Sequence, residues 1–278
     1  MRESDYMPLI ELALREDLGE PGDVTSQAVV PDATGSATLW SKQGGVLAGE
    51  EVFAAVFHKI DPSVEVSFAA HDGARIAERE RIASLRGRAL SLLSGERIAL
   101  NFISFLSGIA TMTRDLVESA AAGGRALVLD TRKTLPGYRA LSKYAVAAGG
   151  GKNHRQGLYD MVLIKDNHVD SAGSISAAVE RVRARWGTRF SVEVECRDQK
   201  EVEEALRAGA DLIMLDNMEL DRMRDAVRMV EGRVKVEASG NMTKERIGPV
   251  SATGVDYISV GMLTHSVRAH DFSLKMNL

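Results

Sequence analysis

Six short apolar runs in the second half of the chain restrict its fold more than any other feature. They are Ala126-Leu129, Met161-Ile164, Ser191-Val194, Leu212-Leu215, Val234-Val236 and Tyr257-Val260. Helical patterns separate them: Ile175 to Trp186 has apolar residues at helical spacing, Lys200 to Leu206 leads into Gly209, and Leu220 to Val230 leads into Gly232. Glycine after the last periodic residue is a helix stop. Short strands alternating with helices give parallel strands joined by right-handed crossovers. The later runs recur about every 21 to 30 residues, the length of a β/α unit. Six strands fall short of a full eight-stranded barrel; a seventh hidden strand and an open doubly wound sheet both remain compatible with the pattern. The repeat is one of structure, with no copied sequence.

Residues 1–108 read differently. A helical pattern around Leu9, Ile10, Leu12 and Ala13 ends before Gly19. Ala37-Trp40, Val64-Phe68 and Arg88-Leu93 read as strands, and Glu50-His58 and Glu96-Leu106 as helices. The expectation is a small α+β domain with an open-faced sheet over 1–108, a barrel-like domain over 109–266 and a tail over 267–278.

Each apolar run of the second region ends in chemistry. The first ends at Asp130 and leads into Thr131, Arg132 and Lys133; the second ends at Lys165, the third at Glu195, the fourth at Asp216. The fifth ends at Ser239-Gly240 followed by Asn241, and the sixth at Ser259-Val260-Gly261. Parallel strands of a barrel share one C-terminal face, and active sites form there. Any one such residue is more often a solvated turn residue; the succession of six points to a functional cluster.

The cluster has two halves. Arg132, Lys133, His154, Arg155 and Lys165 are cationic within a chain of formal net charge −4. Guanidinium forks and lysine point charges grip carboxylates and phosphates, so the ligand is expected to be a polyanion. Gly149-Gly150-Gly151 and Gly157 among these charges are expected to let backbone approach it. Glu195 and Asp216 form the acidic half. They suit a hydrated Mg²⁺, which takes one or two carboxylates; they suit sugar hydroxyls equally, or serve as ion-pair partners of Lys165 or Lys133. Ser239-Gly240-Asn241, ahead of a helix expected near Thr243, and Gly261 offer the free amides and helix dipole of a phosphate site. Glu193 and Glu195 share a strand face, as do Lys235 and Glu237, and read as paired charges inside the barrel.

The acidic balance argues against non-specific nucleic-acid binding. No apolar run approaches the roughly 20 residues of a membrane span. The single cysteine, Cys196, precludes an internal disulfide. Together these give the expectation of a soluble cytoplasmic protein, with no nucleic-acid or membrane partner.

The motifs resemble those of the quinolinate phosphoribosyltransferases. The resemblance rests on Ser94-Gly95-Glu96-Arg97 through Ser107-Gly108-Ile109-Ala110-Thr111, Asp130-Thr131-Arg132-Lys133-Thr134 and Asn153-His154-Arg155. It continues through Leu163 to His168, Val192 to Glu195, Leu215-Asp216-Asn217-Met218, Ser239-Gly240-Asn241 and Gly254-Val255-Asp256 through Gly261. Ser142 and Tyr138 depart from the family's usual residues without touching the charge set. The resemblance implies an N-terminal α/β sandwich, an incomplete seven-stranded α/β barrel and a C-terminal tail packed back on the sandwich. It implies a homodimer in which Arg97 reaches the partner's site. Quinolinate would be held by Arg132, His154, Arg155 and Lys165. Lys133 would lie near quinolinate or phosphoribosyl pyrophosphate (PRPP), with Thr131 in the same loop. Glu195 and Asp216 would meet the ribose hydroxyls and Mg²⁺, and Ser239 to Asn241 and Ser259 to Gly261 the 5′-phosphate. Lys133, Lys165, Glu195 and Asp216 are the expected catalytic residues. The implied reaction is decarboxylating phosphoribosyl transfer to quinolinate, giving nicotinate mononucleotide. The alternatives are a ModD-like paralogue, in which Asn-His-Arg and Lys-Asp-Asn-His would not be intact, a Schiff-base lyase using Lys165 or Lys133, and a phosphate-binding barrel without turnover.

Overall fold

The computed structural model describes residues 1–30 and 32–277. It divides into two compact units. The first holds residues 1–114, 134–150 and 264–278, and the second holds 115–133 and 151–263.

In the first unit, α1 (Met7–Leu18) and α2 (Val24–Val29) precede an antiparallel sheet of β1 (Thr34–Ser41), β3 (Glu65–Phe68), β5 (Arg81–Arg88) and the C-terminal β12 (Phe272–Asn277). The strand order is β12-β1-β5-β3. Short strands β2 (Gly45–Val46) and β4 (Arg75–Ile76) pair separately. Along β1, Ala37, Leu39 and Ser41 turn inward while their neighbours are less buried, the period of two expected of a half-covered strand. Helix α3 (Glu50–Ile60) buries Val52, Phe53, Val56 and Phe57. The Phe53 ring packs edge-on against Phe57 and Phe68, with centroids 5.2 and 5.7 Å away. Truncating either buried ring would cost about 3–5 kcal/mol. The tail does return to this unit: β12 pairs with β1 from Ser41↔Phe272 to Ser36↔Asn277.

Arg88 to Leu93 is a correction. The strand ends at Arg88, and Ala89 opens α4 (Ala89–Gly123), a helix of 35 residues. Leu90 and Leu92 mimic strand alternation, but the buried series Leu92, Ala99, Ile103, Leu106 and Ala110 keeps helical period. By length and hydropathy α4 would pass as a membrane span, yet 56% of that stretch is buried within the protein. Helix α5 (Arg139–Ala148) belongs to the first unit, so the compact units do not follow a single cut at Gly108. Gly149, which ends α5, sits against Ala110 and Thr113 of α4, where a Cβ would meet the Ala110 carbonyl at 2.5 Å.

The second unit is a six-stranded parallel sheet: β6 (Leu127–Leu129), β7 (Val162–Ile164), β8 (Val192–Cys196), β9 (Leu212–Asp216), β10 (Lys235–Ser239) and β11 (Tyr257–Ser259). Its order is β6-β11-β10-β9-β8-β7. All six apolar runs are strands, although the fifth begins at Lys235 and extends to Ser239, beyond the expected Val236. Among the described residues, a seventh partner is present only as a single parallel bridge, Lys152 to Leu129 at the β6 edge. Helices α6 (Asp166–Ala172), α7 (Ile175–Trp186), α8 (Gln199–Ala208), α9 (Leu220–Val230), α10 (Lys244–Ser251) and α11 (Met262–His265) intervene. Both faces of the strands are covered: Val192, Val194, Ile213, Leu215, Ala238 and Ile258 are fully buried on one face, and Glu193, Met214 and Glu237 are buried on the other, as a parallel sheet requires.

Candidate active site

The C-terminal ends of the six strands bring the expected residues of the second unit to one side of the sheet. Register fixes the neighbours: Asp216 pairs with Ser239, Glu195 with Met214 and Ser259 with Leu129. Lys165, one residue past β7, forms an ion pair with Glu195 on the adjacent β8. The structure therefore contains the Lys165–Glu195 pair that the sequence left open. Lys165 is half exposed and the Glu195 side chain is 12% exposed, so the pair lies at a mouth, open to exchange with a ligand.

Lys165 is also held from behind. Its backbone N–H donates to His168 Nδ1 at 2.9 Å, closing the first turn of α6. His168 was part of the resemblance but carried no role; its function here is to cap the turn that presents Lys165.

Arg155 leaves an irregular segment that is nonetheless tightly bonded. The backbone amides of four consecutive residues donate to side chains: His154 to Asp130 Oδ1 (2.9 Å), Arg155 to His154 Nδ1 (2.7 Å), and Gln156 and Gly157 to the two oxygens of Asp160 (2.7 and 3.0 Å). The Arg155 guanidinium donates to the Met161 carbonyl at 3.1 Å. Burial, and then the nearby Arg132 guanidinium, draw Arg155 below the usual arginine range. A second positive charge acting on a partly buried guanidinium makes the place favourable for an anion. Arg132 and Thr131 are half-buried and Lys133 is exposed, its amide bonded to Thr131 Oγ1 at 3.1 Å.

Gly157 packs closely against its own segment: a Cβ there would meet the Tyr159 ring at 2.4 Å. It makes room for the chain's own turn, as Gly149 does in the first unit.

The acidic and phosphate-type residues form a second linked group. Asp216 Oδ2 accepts from Asn217 Nδ2 at 2.9 Å, and Asn217 Oδ1 accepts from Asn241 Nδ2 at 2.9 Å. Asn217 and Asn241 both have positive φ (51° and 49°), a region asparagine tolerates better than most residues. Gly240, with φ 93°, lies between them; a Cβ there would come within 2.2 Å of Asn217 Oδ1. The sequence quoted Asn217 only within a motif; the structure makes it the link between the carboxylate of β9 and the turn after β10. Helices α10 and α11 begin just after the two Ser/Gly strand ends, with Thr243 preceding α10 and Gly261 preceding α11. Helix N-termini favour anions through free amides and the dipole.

The paired strand charges are a correction. Lys235 does not meet Glu237; its Nζ bonds Asp256 Oδ1 at 2.5 Å in an exposed position. Glu237 and Glu193 are both fully buried, and the His154 ring lies between them, Nε2 being 3.1 Å from Glu193 and 3.5 Å from Glu237. Burial, and then the neighbouring Glu193 charge, push the Glu237 carboxyl well above the usual range. His154, expected to face a ligand, has a side chain only 9% exposed. Arg97 belongs to the first unit and is exposed on α4.

Known proteins were compared with this chain. Residues 23–107 match the family described as quinolinate phosphoribosyl transferase, N-terminal domain, and residues 109–275 match its C-terminal domain. A Nicotiana tabacum protein named quinolinate phosphoribosyltransferase [decarboxylating] 1b is 41% identical, over 98% of this chain and 83% of its own length. A Bacillus subtilis protein named probable nicotinate-nucleotide pyrophosphorylase [carboxylating] is 44% identical, over 95% and 90%. The crystal structure of NadC from Streptococcus pyogenes superposes with a TM-score of 0.96 at 39% identity, covering 100% of this chain and 98% of that one.

Proposed function

Because the chain belongs to the quinolinate phosphoribosyltransferase family, we propose that its strand-end cluster transfers the phosphoribosyl group of PRPP to quinolinate and releases pyrophosphate, CO₂ and nicotinate mononucleotide. The observation that carries this reading is the opposition of two charge sets at one end of the sheet. Arg132, Arg155 and Lys165 supply cations for a dicarboxylate, and Glu195 and Asp216 stand on adjacent strands as carboxylates.

In the first step the pyridine nitrogen attacks the anomeric carbon as the bond to pyrophosphate breaks, so positive charge develops on the ribose. Glu195 and Asp216 are assigned to stabilising that charge and to accepting hydrogen bonds from ribose hydroxyls. Lys133 is assigned to the departing pyrophosphate. One preorganised charge of this kind contributes about 3–4 kcal/mol. In the second step the C2–carboxylate bond breaks, its electron pair stays on the ring carbon beside N⁺, CO₂ leaves, and a proton then adds to that carbon. The substrate's own cationic nitrogen supplies most of that stabilisation; Arg155, Arg132 and Lys165 hold the dicarboxylate in place. Ser239-Gly240-Asn241 and Ser259-Val260-Gly261 are assigned to the 5′-phosphate.

Glu195 and Asp216 also fit Mg²⁺, being hard oxygen donors on neighbouring strands. When bound, the ion would offset the charge of the pyrophosphate. Lys165 is ion-paired with Glu195 and belongs to a set of several cations, which Schiff-base chemistry does not require. The intact Asn153-His154-Arg155 and Lys165-Asp166-Asn167-His168 segments favour quinolinate over a ModD-like substrate.

A homodimer with Arg97 completing the partner's site belongs to the same reading, supported by the exposure of that cation on α4. Mixing two inactive variants, Arg97→Ala and Lys165→Ala, should restore activity through mixed dimers; no recovery would reject the shared site. The proposed compartment is the cytoplasm, in keeping with the buried reduced thiol of Cys196. The test of the reaction is direct: protein, quinolinate, PRPP and Mg²⁺, with nicotinate mononucleotide and CO₂ followed and nicotinate as control substrate. Product from quinolinate alone is expected. No product from either, with PRPP still bound, would overturn the reading.

A further inference from the structure

Asn217 stands between two parts of the candidate active site, and the reaction described above gives it no role. One end of its amide meets Asp216 and the other meets Asn241. A carboxylate accepts hydrogen bonds and donates none. The group 2.9 Å from Asp216 Oδ2 is therefore the Asn217 NH₂, and Oδ1 of the same amide faces Asn241. An acceptor there needs a donor opposite, so Asn241 turns its own NH₂ inward, 2.9 Å away. The direction of the whole row follows from the one carboxylate at its end.

The loops that carry this row are held by other bonds. The Asn217 backbone N–H donates to the Ser239 carbonyl at 2.9 Å, one step beyond the Asp216–Ser239 register. Arg246 of α10 donates to the Met218 carbonyl at 2.8 Å, and Met218 and Met242 are buried. Asn217 and Asn241 are exposed, so water competes for their side-chain hydrogen bonds and little stability comes from them. Gly240 lies against the Asn217 amide, in a place where any side chain would collide with it. The chain thus keeps a glycine to admit an amide whose bonds the fold does not need. What the row supplies is direction. Asn217 occupies Asp216 Oδ2; among the described residues no donor reaches Oδ1, so one carboxylate oxygen is fixed and the other is left to a ligand. Asn241 uses one of its two N–H donors on Asn217 and keeps the second for an anion.

We propose that Asn217 is a positioning residue for PRPP: its amide aligns the Asp216 carboxylate with the Ser239-Gly240-Asn241 turn, so that the ribose and the 5′-phosphate of one substrate are met together. The proposal rests on the assignment of Asp216 to the ribose and of the turn to the phosphate. Holding two contacts in fixed relation is how a site orients a substrate for attack. The residue type matters because the row needs a donor and an acceptor on one short side chain at positive φ. Asn217→Asp offers no donor to Asp216 and sets a second negative charge beside it. Asn217→Gly keeps the positive φ and offers neither end.

These two variants, in the full-length protein with Mg²⁺, separate the backbone from the side chain. A residue required only for its positive φ would be replaced by glycine without loss. The expected result for Asn217→Gly is instead a KM for PRPP raised about tenfold, with KM for quinolinate close to its starting value and Tm lowered by no more than about 3 °C. Asn217→Asp should raise KM for PRPP further than Asn217→Gly does. In a double-mutant cycle with Asn241→Gly, the two effects on KM for PRPP should multiply to well over the rise seen in the double variant, because the two amides act as one row. Wild-type kinetics in Asn217→Gly or Asn217→Asp, fully multiplying effects in the cycle, or equal rises in both KM values would overturn the proposal. Calorimetric titration with PRPP and Mg²⁺ repeats the comparison without turnover. A wild-type protein that binds PRPP and forms no product would overturn the reaction alone, and a tenfold weaker Kd in Asn217→Gly would still support the row. A wild-type protein that does not bind PRPP would overturn both.

Discussion

At the start of β9 and of β11, Asp211 and Asp256 make the same pair of bonds to the neighbouring strand. Asp211 N–H donates to the Val192 carbonyl (2.8 Å) while its carboxylate accepts the Val192 N–H (2.6 Å); Asp256 does both with Val236 at 2.8 and 2.9 Å. Each aspartate also meets a cation, Arg183 at 2.9 Å and Lys235 at 2.5 Å. At the other end of the same sheet, Glu195 meets Lys165 and Asp216 meets Asn217, both through side chains. The residue types are alike, and what differs is the partner. A carboxylate that takes a backbone amide is fixed with the fold, because releasing it would leave a strand donor unsatisfied. A carboxylate held by a flexible side chain can exchange that partner for a ligand. The distinction separates structural charge from functional charge more sharply than position at a strand end.

The comparison breaks first at Glu195. Glu195→Gln keeps the shape and removes the charge, so kcat should fall roughly 10²–10³-fold, with the thermal midpoint nearly unchanged because the lost ion pair is half exposed on the lysine side. Steady-state kinetics beside a thermal melt measure both, and a large loss of Tm with kcat preserved would place Glu195 with the structural aspartates. Arg155→Ala should come next. Losing a charged fork to a carboxylate costs about 2–3 kcal/mol, a rise of roughly 30- to 150-fold in KM for quinolinate, with KM for PRPP little changed. An unchanged KM for quinolinate would remove Arg155 from that site.

Much of this was legible in the sequence, for local reasons. Short apolar runs separated by period-3.6 patterns located all six parallel strands, and α7 and α9 run over the expected Ile175–Trp186 and Leu220–Val230. The charges at strand ends followed, because a parallel sheet places every C-terminal end on one side. What was hidden depends on contacts distant in sequence. Lys235 and Glu237 share a strand face, yet Lys235 pairs with Asp256 because it stands at the strand's first position, beside the next strand's entry. The inward turn of His154 requires Glu193 and Glu237 from two other strands, and no spacing announces that. A cue was available: a glutamate flanked by buried valines, as Glu193 is between Val192 and Val194, is a buried charge awaiting a partner. The repeated device at the strand starts also had a signature, Gly209-Ala210-Asp211 and Gly254-Val255-Asp256, each a glycine at positive φ, an apolar residue and an aspartate. The aspartate's use becomes visible only once the neighbouring strand is in place.

A smaller effect is expected at Gly240. Alanine there would be held at φ 93°, which costs about 1–2 kcal/mol, and its Cβ would push on Asn217 Oδ1. The Asn217–Asn241 link should loosen and Asp216 lose its bonded neighbour. The expected result is a rise in KM for PRPP of about tenfold, with KM for quinolinate close to its starting value. Equal rises in both would mean that the turn after β10 serves the whole site and is not confined to the phosphate end.

The mildest prediction tests the structural half of the comparison. In Asp256→Ala the Val236 amide loses its acceptor and Lys235 its ion pair. The ion pair is exposed, with 61% of the Lys235 side chain accessible, so it contributes little. The amide dominates, and because the strand starts beside an exposed residue, water can replace part of the bond; the loss should be about 1 kcal/mol, or roughly 2–4 °C in Tm. Asp256→Asn retains an oxygen for the Val236 N–H and should recover most of that loss. Neither substitution should change kcat or either KM, since the carboxylate lies at the sheet end opposite Glu195 and Asp216. A fall in kcat at unchanged Tm would show that a backbone-bonded carboxylate can also work in the reaction, and the criterion of partner type would then fail.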